Sequence, residues 1–515
     1  MKAHSLPVVV IGAGPVGLAA AAHLVERSLT PVVFEAGASV GAGMRTWAQV
    51  RMFSPWEFTI DRAAARILAR HGWTAPEPSA FPTGGDVAQL YLDALARTPE
   101  IAPHLRLGAC VTAVSKQRRD RMKDAQRDDV PFVVRYEDAD GEHELLAQAV
   151  IDASGTIRTP NPLGASGLPA LGERGAREYV FYGMPDVLGA HRDSYAGKRV
   201  LVVGSGHSAF NVLNDLARLA QQAPGTRIQW AIRRPSLQRV LGGGENDQLA
   251  ERGRLGLTIG RLVKEGALTV ATSFQLDRIE RTPDGWVAYS GGTALAPVDQ
   301  IVAATGFRPD VGLLSELRIA LDAGTQAPVA LAPLIDPNQH SCGSVRPHGA
   351  EQLRHPDANV YIVGMKSYGR APTFLLLTGY EQVRSVVAAI AGDWDAARRV
   401  ELVLPETGVC ITQFAEDEAA VGAAPACCGP TIVDAAAPAV AAAVTGDATA
   451  ACCGGPPKSN ADACCVKDED AKASGTSGCG CGQRAASPVP VAVPAAAVVP
   501  VAVAAPAATA SECCR

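Results

Sequence analysis

Two glycine turns carry the chain's first chemical signal. In PVVVIGAGPVGLAAAAHL an apolar run, Pro7 to Ile11, meets Gly12, Gly14, Pro15 and Gly17 and continues as a helix. A first glycine makes the tight turn, a second lets a pyrophosphate approach the backbone, and a third allows close helix–strand packing. The phosphates then sit at a helix N-terminus, where free N–H groups and the dipole favour negative charge. The next run, TPVVFEAG, ends in Glu35, placed to accept hydrogen bonds from a ribose. The pattern recurs in GKRVLVVGSGHSAFNVLNDLA. A strand, Val200 to Val203, leads into Gly204, Gly206, Ser208 and, at the third position, Ala209. There the following run, RIQWAI, ends in Arg233 and Arg234. Guanidinium pairs a 2′-phosphate that a carboxylate would repel. The first site is expected to hold FAD and the second NADPH.

Three further stretches add to the cofactor set. AVIDASG ends at Gly155 and QIVAATGFRPD contains Gly306; each reads as an apolar strand running into a turn between the two dinucleotide units. NVYIVGMKSYGRAPTFLLLTGYEQVRS reads as a strand, Val360 to Val363, then Gly364, a loop, and a helix starting near Gly379. That helix N-terminus would face the flavin pyrimidine and stabilise its anionic reduced form. The candidate catalytic side chains of the cleft are Trp47, Ser54, Ser367, Tyr368 and Arg370. Trp47 equally suits flavin packing, and Arg370 equally suits a phosphate or carboxylate of the fold.

Alternating apolar runs, glycine turns and amphipathic stretches predict the scaffold for these residues: an α/β chain with parallel sheets. The reading is two Rossmann-like dinucleotide-binding domains. The FAD domain takes residues 1–160 and 301–415, and the NADPH domain takes 161–300. From 416 to 515 the composition turns to Ala, Pro, Gly, Ser and Cys, too poor in large apolar side chains to offset ordering entropy, and predicts a disordered tail. The net charge of −5 points to neither nucleic acid nor an anionic membrane. The start reads as a cytoplasmic N-terminus without a signal peptide. Pro488 to Ala510 is apolar and about span length, but five prolines interrupt it, so no membrane segment is expected.

The chain has 13 cysteines, and only Cys110, Cys342 and Cys410 precede residue 420. The tail holds Cys427 and Cys428, Cys452 and Cys453, Cys464 and Cys465, Cys479, Cys481, and Cys513 and Cys514. Vicinal pairs make strained structural disulfides, and thiolates select thiophilic metals and metalloids. These ten are the candidate metal ligands.

Together, the two glycine motifs, ATGFRPD and the closing strand–helix resemble the two-dinucleotide-binding flavoproteins. Within them the chain is most similar to the flavin-containing, class B-type monooxygenases. GAGM with Trp47 resembles their glycine–tryptophan turn, and YAGKRVLVVGSGHSA resembles their NADPH-site strand. GGGENDQLAERGRLG and KSYGRAPTFLLLTGYEQVRS resemble the flavin monooxygenases of bacterial arsenic-resistance operons. There are departures. The family's Phe-x-Gly-x-x-x-His fingerprint is stretched here to Phe181, Gly183 and His191. Met365 stands after Gly364, where wider relatives carry an acid for the flavin ribityl chain.

The resemblance implies NADPH reduction of FAD. A flavin C4a-hydroperoxide would then oxygenate a soft nucleophile: sulfur, amine nitrogen or trivalent arsenic. The protein's part would be to exclude water and position a small-molecule substrate with O2. A flavin-dependent disulfide or metal reductase is the alternative. It needs a dithiol beside the flavin, which only the tail supplies; SECCR resembles the dithiol end of mercuric reductase-like enzymes. A thiophilic-metal binder on a flavoprotein scaffold is the third reading. A homodimer is compatible with all three.

Overall fold

The computed structural model describes residues 6–237, 240–241, 250–339, 347–371 and 374–402, all within one compact unit spanning 1–424. The expected tail with its ten cysteines lies outside the described residues, as do Cys342 and Cys410.

The chain opens with β1 (Val8–Ile11), α1 (Pro15–Glu26), β2 (Pro31–Glu35), α2 (Arg62–Arg70) and β3 (Leu105–Leu107). An antiparallel meander follows, β4 (Cys110–Lys116), β5 (Phe132–Asp138) and β6 (Gly141–Ala147), and then β7 (Ala149–Asp152). A second series contains β8 (Val180–Tyr182), β9 (Arg199–Val203), α3 (His207–Gln222), β10 (Arg227–Ala231), α4 (Ala250–Lys264) and β11 (Thr269–Ala271). It closes with a second meander, β12 (Arg278–Thr282), β13 (Gly285–Ser290) and β14 (Thr293–Ala294), and with β15 (Gln300–Ala303). The chain then returns through β16 (Val360–Ile362) to α5 (Leu376–Ile390).

Two five-stranded parallel sheets result, in the orders β16-β7-β1-β2-β3 and β11-β10-β9-β15-β8. Strands buried on both faces read as continuous apolar runs, as VVVI and RVLVV do. On one face of the first sheet lie α1 and α5; Ala19, Ala20, Ala21 and Ala22 are fully buried there, and their small side chains let α1 lie close. The meander β4–β6 covers the other face, where Val9, Ile11 and Phe34 meet Val114, Phe132 and Val134. The second sheet is built alike, with Val200, Val202 and Trp230 under α3 and Leu201 and Val203 against the second meander. Neither meander was anticipated in the sequence reading.

The chain crosses between the sheets twice, after β7 and after β15. The two crossings are fastened together. Asn161 N–H donates to Gly306 O at 2.9 Å, Thr305 Oγ1 to Asn161 O at 2.7 Å, and Arg308 Nε to Asn161 Oδ1 at 2.8 Å. Residues Gln300–Ala303 pair in register with Val200–Val203, so the second sheet runs past residue 300 into the stretch assigned to the returning FAD segment. Among the described residues, no helix is long and apolar enough to cross a membrane.

Candidate active site

The glycines of the first turn have different jobs. Gly12 has φ +99°, and a Cβ there would lie 2.8 Å from Ala153 O. A Cβ on Gly17 would lie 1.9 Å from Gly12 O. Both are demanded by the protein's own backbone. Gly14 is extended, precedes α1 directly, and would have nothing within 4 Å of an added Cβ. That open space at a helix N-terminus is the room a pyrophosphate needs. Glu35 braces the turn: Oε2 accepts from Ala13 N–H at 2.9 Å and Oε1 from Gly37 N–H at 2.8 Å. Each oxygen keeps lone-pair capacity for a ribose hydroxyl. The chemistry of these residues fits FAD.

The second turn repeats the division. Gly204 has φ +130°, and its Cβ would lie 2.2 Å from Ala304 O, while Gly206 would meet nothing within 4 Å. Ala209 is fully buried under the sheet, and Ser208 lies in the first turn of α3. Arg233 is exposed and donates from Nη1 to Ala165 O at 3.2 Å; Arg234 is half-buried beside it. Both guanidinium groups stand just past the end of β10, where a 2′-phosphate would lie.

The two halves meet over residues 49–53. Gln49 Nε2 donates to Met184 O at 3.0 Å, and the Phe53 ring lies 5.1 Å from that of His207. Ser54, next to Phe53 in the chain, is buried. Trp47 lies on Gly84, whose Cβ would come within 2.5 Å of the indole, so only glycine lets the ring rest on that backbone.

At the carboxyl ends of β7 and β16 the sequence reading missed the main side chains. Lys366 Nζ lies 2.6 Å from Asp152 Oδ2 and 2.9 Å from Ser154 Oγ, with both charged side chains almost wholly buried. Asp152 Oδ1 also accepts from Ser154 N–H at 3.1 Å and Oγ at 2.6 Å. Gln382 of α5 is equally hidden. Its Oε1 accepts from Gly364 N–H at 2.7 Å, and its Nε2 contacts Ser367 Oγ and His348 Nε2, both at 2.9 Å. Ser367 also donates to Gly364 O at 2.7 Å, so its hydroxyl serves the loop. The buried Tyr368 ring lies between His348 and Phe374, and burial pushes its phenol well above the usual range. Arg370 is exposed and donates from Nε to Gln326 Oε1 at 2.7 Å.

The remaining glycines fall on the turns expected. Gly155, Gly306 and Gly364 have φ of +70°, +84° and +69°. The helix expected near Gly379 begins three residues before it. Leu375 is extended and α5 begins at Leu376, so Gly379 lies in its first turn, where a Cβ would strike Val16 and Phe374 at 2.7 Å. Its role is close approach of α5 to α1. The stretched fingerprint also closes in space: Phe181 and His191 rings lie 5.0 Å apart, edge to face, and His191 Nδ1 accepts from Asp186 N–H at 3.1 Å.

A cavity of about 310 Å³ lies at the far end of α1 from Gly14. Several of its charges are matched there, as Arg66–Glu26, Arg384–Glu381 and His23–Asp61, which sets it apart from the cofactor turns. Among the described residues no group of His, Cys, Asp and Glu could hold a metal, and Cys110 stands alone on β4.

Residues 9–333 match the sequence family described as pyridine nucleotide-disulphide oxidoreductase. The chain belongs to that family. The family is one of oxidoreductases, and its FAD and NADP(H) cofactors fit the two glycine turns of this chain. An indole-3-pyruvate monooxygenase of rice, Oryza sativa subsp. japonica, is 31% identical over 214 residues, which is 41% of this chain and 45% of that enzyme. A ferredoxin–NADP reductase of Salinispora tropica is 26% identical over 324 residues, 62% of this chain and 79% of that one. The chain thus aligns with under half of the rice enzyme's length. Two solved structures share the fold at a TM-score of 0.54. One is a bacillithiol disulfide reductase from Bacillus cereus, 19% identical, covering 75% of this chain and 99% of that chain. The other is the cadaverine monooxygenase DfoA from Erwinia amylovora, 16% identical, covering 78% and 98%.

Proposed function

We propose that this family member is an NADPH-dependent flavin monooxygenase that oxygenates a soft nucleophile, sulfur, amine nitrogen or trivalent arsenic, in the cytoplasm. Bound FAD supplies hydride acceptance and oxygen activation. The chain's own residues supply binding and shelter. The open N-termini of α1 and α3 take the two pyrophosphates, Glu35 takes the adenosine ribose of FAD, and Arg233 with Arg234 takes the 2′-phosphate of NADPH. The observation that carries the reading is the wall where the halves meet. Phe53 packs on His207, and the same stretch of chain carries Trp47, which lies on Gly84, and buried Ser54. Tyr368, buried between His348 and Phe374 on the loop after β16, stays neutral at physiological pH. Such a wall excludes water, which an oxygenating site needs more than a strong acid or base. The rice relative, named as a monooxygenase, supports the reading.

The test is NADPH oxidation by purified protein under oxygen, with an organic sulfide, a primary amine and arsenite compared and peroxide measured. Substrate-dependent turnover with little peroxide supports oxygenation. Oxygen-independent turnover that consumes a disulfide or metal ion rejects it.

The tail motivates the second reading. Its four vicinal pairs, Cys513–Cys514 among them, favour capture of a thiophilic metal or metalloid and provide the dithiol a reductase would use. A chain ending at Glu416 should keep FAD and NADPH oxidation but lose most binding of arsenite or zinc. Loss of substrate turnover as well would favour the reductase. A homodimer is the proposed assembly.

A further inference from the structure

Three arginines converge on the short loop 165–167, which follows the first crossing. Arg308 donates from Nη2 to Gly167 O at 3.2 Å and from Nε to Asn161 Oδ1 at 2.8 Å. Arg370 is fixed through Nε on Gln326, and its Nη1 would lie 3.9 Å from a Cβ on Gly167. Arg233 donates to Ala165 O. Every acceptor is a neutral carbonyl or amide oxygen. Such partners aim a guanidinium without cancelling its charge. Among the described residues none of the three forms an ion pair. Arg308 Nη1 and both terminal nitrogens of Arg370 have no acceptor among the described residues. The Arg308 pKa is held below its usual value, first by burial and then by the positive charge of Arg370. Two like charges are therefore kept together against their repulsion.

The placement is also that of a ligand site. Arg308 follows β15 and Arg370 lies in the loop after β16, so both stand beyond the carboxyl ends of parallel strands, where open α/β sheets bind ligands.

We propose that Arg308 and Arg370 form a two-pronged clamp for a compact oxyanion, a phosphate-like or carboxylate group, with Arg233 at its margin. Planar guanidinium groups bind such anions through paired, charge-assisted hydrogen bonds. The anion has two sources: a phosphate of the nicotinamide cofactor, or an acid group on the substrate or its oxidised product. The second source rests on the oxygenation reading; the clamp itself does not.

The experiment uses the flavin-loaded full chain. Inorganic phosphate binding is measured by calorimetry at fixed ionic strength, and NADPH and NADH binding by flavin fluorescence. Arg370→Gln is the primary variant, because its side chain is exposed and its guanidinium does not hold the crossing; Arg308→Lys keeps the charge and removes the fork. Both should weaken phosphate binding about tenfold or more. If NADPH binding falls in parallel, the clamp stands and its anion is the cofactor's: the pyrophosphate if NADH binding falls too, the 2′-phosphate shared with Arg233 if NADH binding holds. If both nucleotides bind as before, the clamp stands and its anion belongs to the substrate side. Phosphate binding that is absent in the parent, or unchanged in Arg370→Gln with an unaltered circular-dichroism spectrum, overturns the clamp. Its failure would leave the oxygenation assay unmoved, and failed oxygenation would leave phosphate binding unmoved.

Discussion

Replacing Lys366 by Met tests the site where it is most exposed to argument. The ammonium lies 2.6 Å from Asp152 Oδ2, and the two side chains are 1% and 0% exposed. Met keeps the length and apolar stem but leaves Asp152 with only the two donors of Ser154. Removing one partner of a buried ion pair costs about 3–5 kcal/mol, because the other charge stays buried and uncompensated. Domain stabilities are about 5–15 kcal/mol in total, so the first sheet should unfold at markedly lower urea. The loss should reach the cofactor, since Ser154 Cα would lie only 2.9 Å from a Cβ on Gly12. The double variant Asp152→Asn, Lys366→Met removes both charges and should recover most of the deficit. Urea unfolding followed by release of flavin fluorescence, with circular dichroism in parallel, reads both quantities; the same transition must be compared across variants, because a chain of two sheets need not unfold in one step. A cost under about 1 kcal/mol for the single variant, or a double variant no better than the single, would refute the reasoning.

Gly14→Ala meets no protein atom and should fold with parent stability yet lose FAD, whereas Gly17→Ala drives a methyl into Gly12 O and should destabilise the apoprotein itself; apoprotein melting beside flavin content separates the two. Arg233→Ala with Arg234→Ala should raise the NADPH Michaelis constant about tenfold or more and leave NADH nearly unchanged; equal use of both nucleotides by the parent would contradict it. Burial pulls the His355 pKa from 6.5 to about 4, and its Nε2 has no hydrogen-bond partner. Its folded form stays neutral while the unfolded chain takes up a proton, so stability present above pH 6.5 falls as pH drops, by about 3 kcal/mol near pH 4. His355→Gln should flatten that part of the stability–pH curve, measured by urea midpoints at pH 7 and 4.5.

The local parts of this site were readable in the sequence. Glycine spacing, the acid at Glu35 and the arginines after β10 each act within a strand–turn–helix unit, so their meaning travels with their spacing. What was missed acts across the chain. Lys366 meets Asp152 from 214 positions away, Gln382 holds Gly364 only because α5 lies beneath β16, and Asn161 ties one crossing to the other. Ser367 drew notice as a hydroxyl near the cleft, but its partners on Gly364 and Gln382 are fixed by tertiary packing. The two meanders were also unread, because their alternation is weak: β6 reads GEHELLA, half exposed and rich in charge.

The order of the strands has a consequence for how the protein is made. β7 pairs with β16, and the whole second sheet is inserted between them. During synthesis the edge of β7 emerges long before its neighbour. At about 5–20 residues per second, the roughly 200 residues between them take about 10–40 s. The nucleotide half made second can therefore complete its sheet while the half made first still waits with an open edge. Until Val360–Ile362 arrives, that edge offers unpaired backbone to any other nascent strand. Flavin capture cannot shorten that wait, because Gly364 and Lys366 are made after β16 and the Gln382 that holds Gly364 is made later still.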